Sequence, residues 1–262
     1  MCCRVLCASR DGDFGKRDDE PVTTTPGRTT RASRTRLPRG ALTPERIVET
    51  SLRLLDEHGA DAFSMPRLGK ALGADQTAVY RHFSGRDDIL LAVADRLLEE
   101  AFEGFSAQPY WADTLADVCR RVRGAYLAHP AAAALSGPRT TRRPAEMRAA
   151  DAVIGALGDA GFDPAEAALL YRVVADFALL WSGGEAAFHS LDAKTQADEA
   201  DGWKRAYRAA DPQEYPHIHR VRDPLFEVDS ADVFETALGL LLDSMEHRAP
   251  RGDGRARRDP GE

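Results

Sequence analysis

Cysteine is scarce and poorly placed for structural use. The 262-residue chain holds four, of which Cys2, Cys3 and Cys7 crowd the first positions and Cys119 stands alone. That set argues for unpaired thiols, and the spacing of the first three fits no common zinc pattern. Long hydrophobic runs are missing too. The richest stretch, Ala167 to Trp181, is interrupted by Arg172 and Asp176, short of the ~20 apolar residues of a membrane span. The opening "MCCRVLCASR" has no apolar centre for a signal peptide. No segment alternates apolar and polar residues as a half-buried strand does. There is no glycine-rich phosphate loop, and "SGG" at 182–184 lacks the surroundings of a nucleophile elbow. His217 and His219 form an "HIH" triplet without a second ligand cluster, so no metal and no cofactor is expected. These absences lead to the expectation of a soluble, cytoplasmic, all-α chain with no membrane partner.

Charge of one sign is missing locally. The net charge is −7. Residues 28–105 carry 12 basic and 12 acidic groups, whereas residues 106–262 carry 19 against 25. From Pro21 to Pro44 there are five arginines (Arg28, Arg31, Arg34, Arg36 and Arg39) and no acid. From Ser64 to Arg86 four basic residues face Asp75 alone. An acidic chain with two basic islands near its N-terminus can meet a polyanion there.

Helical periodicity fills most of what remains. Residues 1–40 are rich in Arg, Thr, Pro and Gly and have few aliphatics, so they are expected to be a disordered basic arm. Residues 248–262 have the same character. Helices are predicted over Pro44–His58, Ser64–Leu72, from after Asp75 to Phe83, and Arg86–Phe105. Further ones are predicted over Trp111–Ala128, Arg143–Ala160, Pro164–Trp181 and Ala231–Arg248. Thr43 and Pro44 start the first and Gly59 stops it; Asp163 and Glu166 form a capping box. The stretch from Gly184 to Arg222 is less regular, with a helix around Ala197 to Ala209. The segment 164–181 is apolar almost all round and has two faces to bury, one of them available to a second subunit.

"LGKALGADQTAVYRHF", residues 68–83, reads as two helices hinged at Gly73, where a positive φ is needed. Gly69 lies where the two helices touch, so a small residue fits there. Val79 and Phe83 point to the core. In a helix-turn-helix the second helix enters the DNA major groove with its N-terminal residues at base edges.

The flanking "AVYRHFSGRDDILLAVADRL" resembles the end of the DNA-binding domain of the tetracycline-repressor (TetR) family of transcriptional regulators. The shared core is Val79, Tyr80, His82, Phe83, Arg86 and Ile89-Leu90. The family usually has lysine at Arg86 and alanine at Gly69. The likeness covers about residues 43–105. "YLAHPAAAAL", "ALGDAGFDPAEAALLY", "EYPHI" and "FETALGLLLDSM" are similar to the family's ligand-binding domain. The resemblance implies a helix-turn-helix domain over 41–90 and a ligand-binding and dimerisation domain over 91–247. It also implies a homodimer, a double-stranded DNA operator and a small-molecule effector held in an internal pocket.

On that footing Gln76, Thr77 and Ala78 are candidates for base contact. Ser64, Arg67, Tyr80, Arg81, His82 and Arg86 are candidates for phosphate contact. Phe102, Phe105, Trp111, Tyr126, Phe177 and Trp181 are candidates to line the effector pocket, against the plainer reading that they are core. The arginine arm is open between a minor-groove contact and a solvated tail. The alternative function is an all-helical small-molecule-binding protein or enzyme with a vestigial helix-turn-helix. No paired acid and base for such an enzyme can be assembled from the sequence.

Overall fold

The computed structural model describes residues 42–136 and 139–250. The arginine arm, Cys2, Cys3, Cys7 and the tail beyond Pro250 lie outside the described residues. Among the described residues there are eleven α-helices and no strand.

Helix α1 (Pro44–His58) begins where Thr43 accepts a hydrogen bond from the Arg46 amide at 3.2 Å. Its Ile47, Val48, Ser51, Leu52 and Leu55 are buried. Helix α2 (Met65–Leu72) ends at Gly73, whose φ of 62° is left-handed. There the Ala74 amide reaches back to the Gly69 carbonyl at 3.0 Å. Helix α3 is Gln76–Val79, started by Asp75, and α4 is Arg86–Ala101. Val79 and Phe83 are buried as predicted. Helix α3 stops at Val79 rather than Phe83. The chain tightens into turns over 80–82, where the His82 amide bonds the Val79 carbonyl three residues back. Tyr80, Arg81 and His82 therefore sit on a turn, not on α3. Helix α4 likewise ends at Ala101, short of Phe105, because the chain turns over residues 102–104.

Helix α4 is buried over most of its girth, through Ile89, Leu90, Val93, Leu97, Leu98 and several alanines. It packs on α1 on one side and on three later helices on the other. Those are α5 (Trp111–Ala128), α6 (Pro130–Ser136) and α7 (Pro144–Asp159). Helix α6 was not anticipated: Pro130 ends one helix and opens the next, since a first-turn proline lacks only an N–H that would be unpaired anyway. The link after α6 is bolted to α4. Asp95 accepts from the Thr141 hydroxyl at 2.9 Å and from the Glu146 amide at 3.0 Å.

Helix α8 runs from Pro164 to His189, longer than predicted. Asp163 accepts from the amides of Ala165 and Glu166, while the Glu166 carboxylate meets Arg248. By length and composition α8 could cross a membrane, unlike the shorter run read from the sequence. Its buried stripe of Ala167, Leu170, Val174, Ala178, Ser182 and Ala186 instead packs on α5, α6 and α7. Its other face leaves Leu169, Val173 and Leu180 exposed. Helices α9 (Ala193–Ala209) and α10 (Pro216–Phe226) pack on each other, and neither contributes a buried residue. Helix α10 carries the "HIH" triplet, in a stretch where no helix was expected. Helix α11 (Ser230–Arg248) returns to the body, burying Phe234, Leu238 and Met245. Cys119 is fully buried on α5, and burial pushes its thiol up to about 12, which leaves it unreactive.

Candidate nucleic-acid interface

The first turn of α3 is organised by Asp75. Its carboxylate accepts from both the amide and the hydroxyl of Thr77, each at 2.9 Å. Gln76 stands beside it, its amide nitrogen 3.4 Å from the Tyr80 hydroxyl. Thr77 is exposed, Gln76 and Ala78 are half-buried, and Val79 behind them is closed off from solvent. The apolar side of this segment thus holds α3 against α2 while the polar side faces out. Close approach of the two helices depends on Gly69: a Cβ there would lie 3.2 Å from the Ala74 carbonyl oxygen.

The basic and hydroxyl candidates frame α3. Tyr80, Arg81, His82 and Arg86 are exposed, as is Arg67 on α2, and Ser64 at its start is half-buried. The Arg86 guanidinium lies over the Phe63 ring, 5.6 Å from its centre, so the charge itself is steadied on the ring while the residue stays exposed. Asp88 braces the turn from behind: its carboxylate accepts from the Ser84 amide at 2.9 Å and from Arg143 at 2.7 Å. These bonds, the Ser84 amide first, hold the Asp88 carboxyl below the usual carboxylate range. Arg143 also overlies the Phe83 ring at 5.9 Å. Sequence reasoning missed Arg143 and Asp95 as supports of this region. No local pattern marks them, because their partners lie about fifty residues away.

The six aromatics proposed for an effector pocket do not converge. Phe102 and Phe105 pair at 4.8 Å beside Arg121. Trp111 meets Phe162 edge-on at 5.8 Å. Phe177 and Trp181 pack together and against the buried Phe234, whose ring lies 4.9 Å from the Arg123 guanidinium. Arg123 in turn binds Glu185 through two bonds of 2.7 and 2.6 Å. Tyr126 is buried elsewhere on α5, and burial pushes its hydroxyl up to about 12. An open groove of about 610 Å³ is lined by Pro224, Val228, Val233 and Leu240 among others, and a smaller one of about 210 Å³ by Ala101, Arg121 and Gly124. None of the six lines either groove. His217 and His219 are exposed on α10, and no group of three or more metal-binding side chains occurs among the described residues.

Two family models match the chain. Bacterial regulatory proteins of the tetR family match residues 47–93, and the tetracyclin repressor-like C-terminal domain matches residues 106–249. The chain belongs to the tetracycline-repressor family. A transcriptional regulator of Saccharopolyspora erythraea is 31% identical over 138 residues, covering 53% of this chain and 58% of that protein. The chain thus spans 58% of the length of that curated relative. The class A tetracycline repressor of Escherichia coli is 25% identical over 209 residues, covering 79% of this chain and 92% of the repressor. Among solved structures, ActR of Streptomyces coelicolor bound to actinorhodin is 26% identical, with a TM-score of 0.70 over 81% of this chain and 99% of that one.

Proposed function

We propose that this protein is a ligand-responsive, DNA-binding transcriptional repressor that acts as a homodimer in the cytoplasm. The observation that carries the reading is the two-sided segment of α3 and the turn after it: Val79 and Phe83 are buried while Thr77 and the basic residues Arg81, His82 and Arg86 are exposed, with Gln76 half-buried beside them. Gln76, Thr77 and Ala78 meet base edges. Ser64, Arg67, Tyr80, Arg81, His82 and Arg86 meet phosphates, which hold the register. Residues 41–90 form the reading head and residues 91–247 the effector and dimerisation body. The exposed Leu169, Val173 and Leu180 of α8 and Val233 and Leu240 of α11 support a second copy packing there. Two such helices from each copy make a four-helix arrangement, and the two heads then address half-sites about one DNA turn, ~34–36 Å, apart. The likeness to ActR supports a small-molecule effector; the six aromatics, which line neither groove, become its lining only when their separate ring contacts part to admit it.

Selection from random duplexes tests the reading. The wild type is expected to enrich an inverted repeat. Gln76→Ala is expected to relax one position of each half-site at a cost of ~1–3 kcal/mol, and Arg86→Ala to weaken all sequences alike and lower the salt slope by ~1. Enrichment of no sequence, or loss of base preference from Arg86→Ala alone, sinks the assignment.

A further inference from the structure

His129 joins three elements. It follows the last residue of α5 and precedes Pro130 of α6. Its Nδ1 lies 2.9 Å from a carboxylate oxygen of Asp56 on α1 and its Nε2 3.4 Å from one of Glu100 on α4. A neutral imidazole carries one N–H and can donate to only one of two carboxylates, whereas an imidazolium donates to both. The arrangement is therefore complete only when the ring is charged. Its side chain is 19% exposed, against 34% for Asp56 and 33% for Glu100. That is sheltered enough for the pairing to matter and open enough for protons to exchange.

We propose that His129 is a pH-sensitive clamp between the reading head and the body: charged, it fixes α1 against α4 and α6; neutral, it releases one of the two. This rests on the proposed repressor function, with the effector-free orientation as the DNA-binding one. The surrounding charges leave the clamp to His129. On α4, Arg96 already binds Glu49 of α1 at 2.8 Å and approaches Glu100 at 3.9 Å. Glu57 and His58 end α1, facing each other at 3.9 Å, and Asp61 lies on the short turn that packs on α6. Arg121 of α5 is taken by Asp117 and by the carbonyls that end α4. The buried stripe of α8, which also packs on α6, carries no titratable group. Histidine ordinarily changes charge between pH 5 and 8, which carboxylates and guanidinium groups ordinarily do not; His58, the other histidine nearby, faces Glu57.

The test measures operator affinity of full-length protein at pH 6 and pH 8 at fixed ionic strength, for wild type, His129→Gln and Asp56→Asn. Comparing proteins at each pH cancels His82 and any other shared titration. The wild type is expected to bind about fivefold more tightly than His129→Gln at pH 6 and equally at pH 8. Asp56→Asn should match His129→Gln at pH 6, and the double variant should be no weaker than either. A wild-type advantage that is the same at both pH values overturns the clamp. Hydrogen exchange of the α1 amides, corrected for intrinsic rate, gives a readout without DNA. Protection is expected to fall between pH 6 and 8 in the wild type and not in the variants. If no duplex is bound but protection changes this way, the clamp stands and the repressor reading fails; unchanged protection removes the clamp.

Discussion

The reading head and the α9–α10 hairpin are both helical, yet they are held by different means. Seven residues of α1 are buried, including Leu55 at 0% exposure, and they meet α2, α4 and α6. Neither α9 nor α10 buries any. The hairpin is joined by an aromatic clasp: Trp203 lies 5.3 Å from Tyr207 and 5.4 Å from Phe226, and the Arg208 guanidinium lies over the Phe226 ring at 4.9 Å. A clasp of half-buried rings closes a local contact, whereas a buried stripe ties a helix into the cooperative unit. Secondary structure alone does not say which of these a helix belongs to.

Truncation separates the two most sharply. Leu55→Ala is expected to lower global stability by ~2–5 kcal/mol, the range for a buried leucine whose cavity collapses only partly. Trp203→Ala is expected to move the global urea midpoint by less than ~0.5 kcal/mol while exchange protection across 193–226 is lost. Urea unfolding followed by circular dichroism, with exchange read helix by helix, checks both. Equal global losses would place the hairpin inside the cooperative unit and erase the contrast.

What the sequence made legible follows the same division. The starts of α1 and α8 carry local signals, Thr43-Pro44 and Asp163-Pro164, and were placed correctly. So was Gly73, since only a left-handed residue ends α2 with the needed turn. The end of α8 was not legible: the sequence pattern ends it at Trp181, before Gly183 and Gly184. The helix runs through them because Ser182 and Ala186 continue the four-residue buried stripe, and that packing outweighs weak propensity. Helix α10 was hidden by Pro224 within its last turns. At the candidate site the residue types of α3 could be read from spacing, but its length could not. Phe83 reaches the core beside Val79, four residues earlier, although residues 80–82 form a turn. The aromatics of the body were visible as residues and invisible as groups, since Phe177 finds Phe234 across 57 positions.

Within the head, acid should dissolve one support before the core fails. The Ser84 amide, together with Arg143, depresses the Asp88 carboxyl in the folded protein. A depressed folded value means that the stabilisation is fully present above the unfolded carboxylate value of about 4 and is lost as pH falls through the folded one. Asp88→Ala is therefore expected to lose ~0.5–2 kcal/mol at pH 7, the range for a helix-start carboxylate bonded to a backbone amide. Its deficit relative to wild type should shrink below pH 4. A deficit that stays constant down to pH 3 would assign the loss to packing rather than to the ionised carboxylate.

The smallest expected effect tests how tightly the head is packed. Gly69→Ala changes two terms of opposite sign. Alanine in a helix interior gains ~0.5–1 kcal/mol over glycine. Against this, the new Cβ would sit 3.2 Å from the Ala74 carbonyl oxygen, so the turn into α3 must give by a few tenths of an ångström. The nearest atoms belong to the backbone of Ala74 and Gln76, so the relief has to come from displacing α3 rather than from a side-chain rotation. The net change in stability is expected to fall within ~0.5 kcal/mol of zero, because the propensity gain is used up in the displacement. The displacement should register in DNA binding instead, since Gln76 and Thr77 move with α3. Urea unfolding read beside operator affinity decides it. A gain of the full propensity term with unaltered affinity would mean that the contact is looser than 3.2 Å. A loss beyond ~1 kcal/mol would mean that α3 cannot move, which would make Gly69 a requirement of this head.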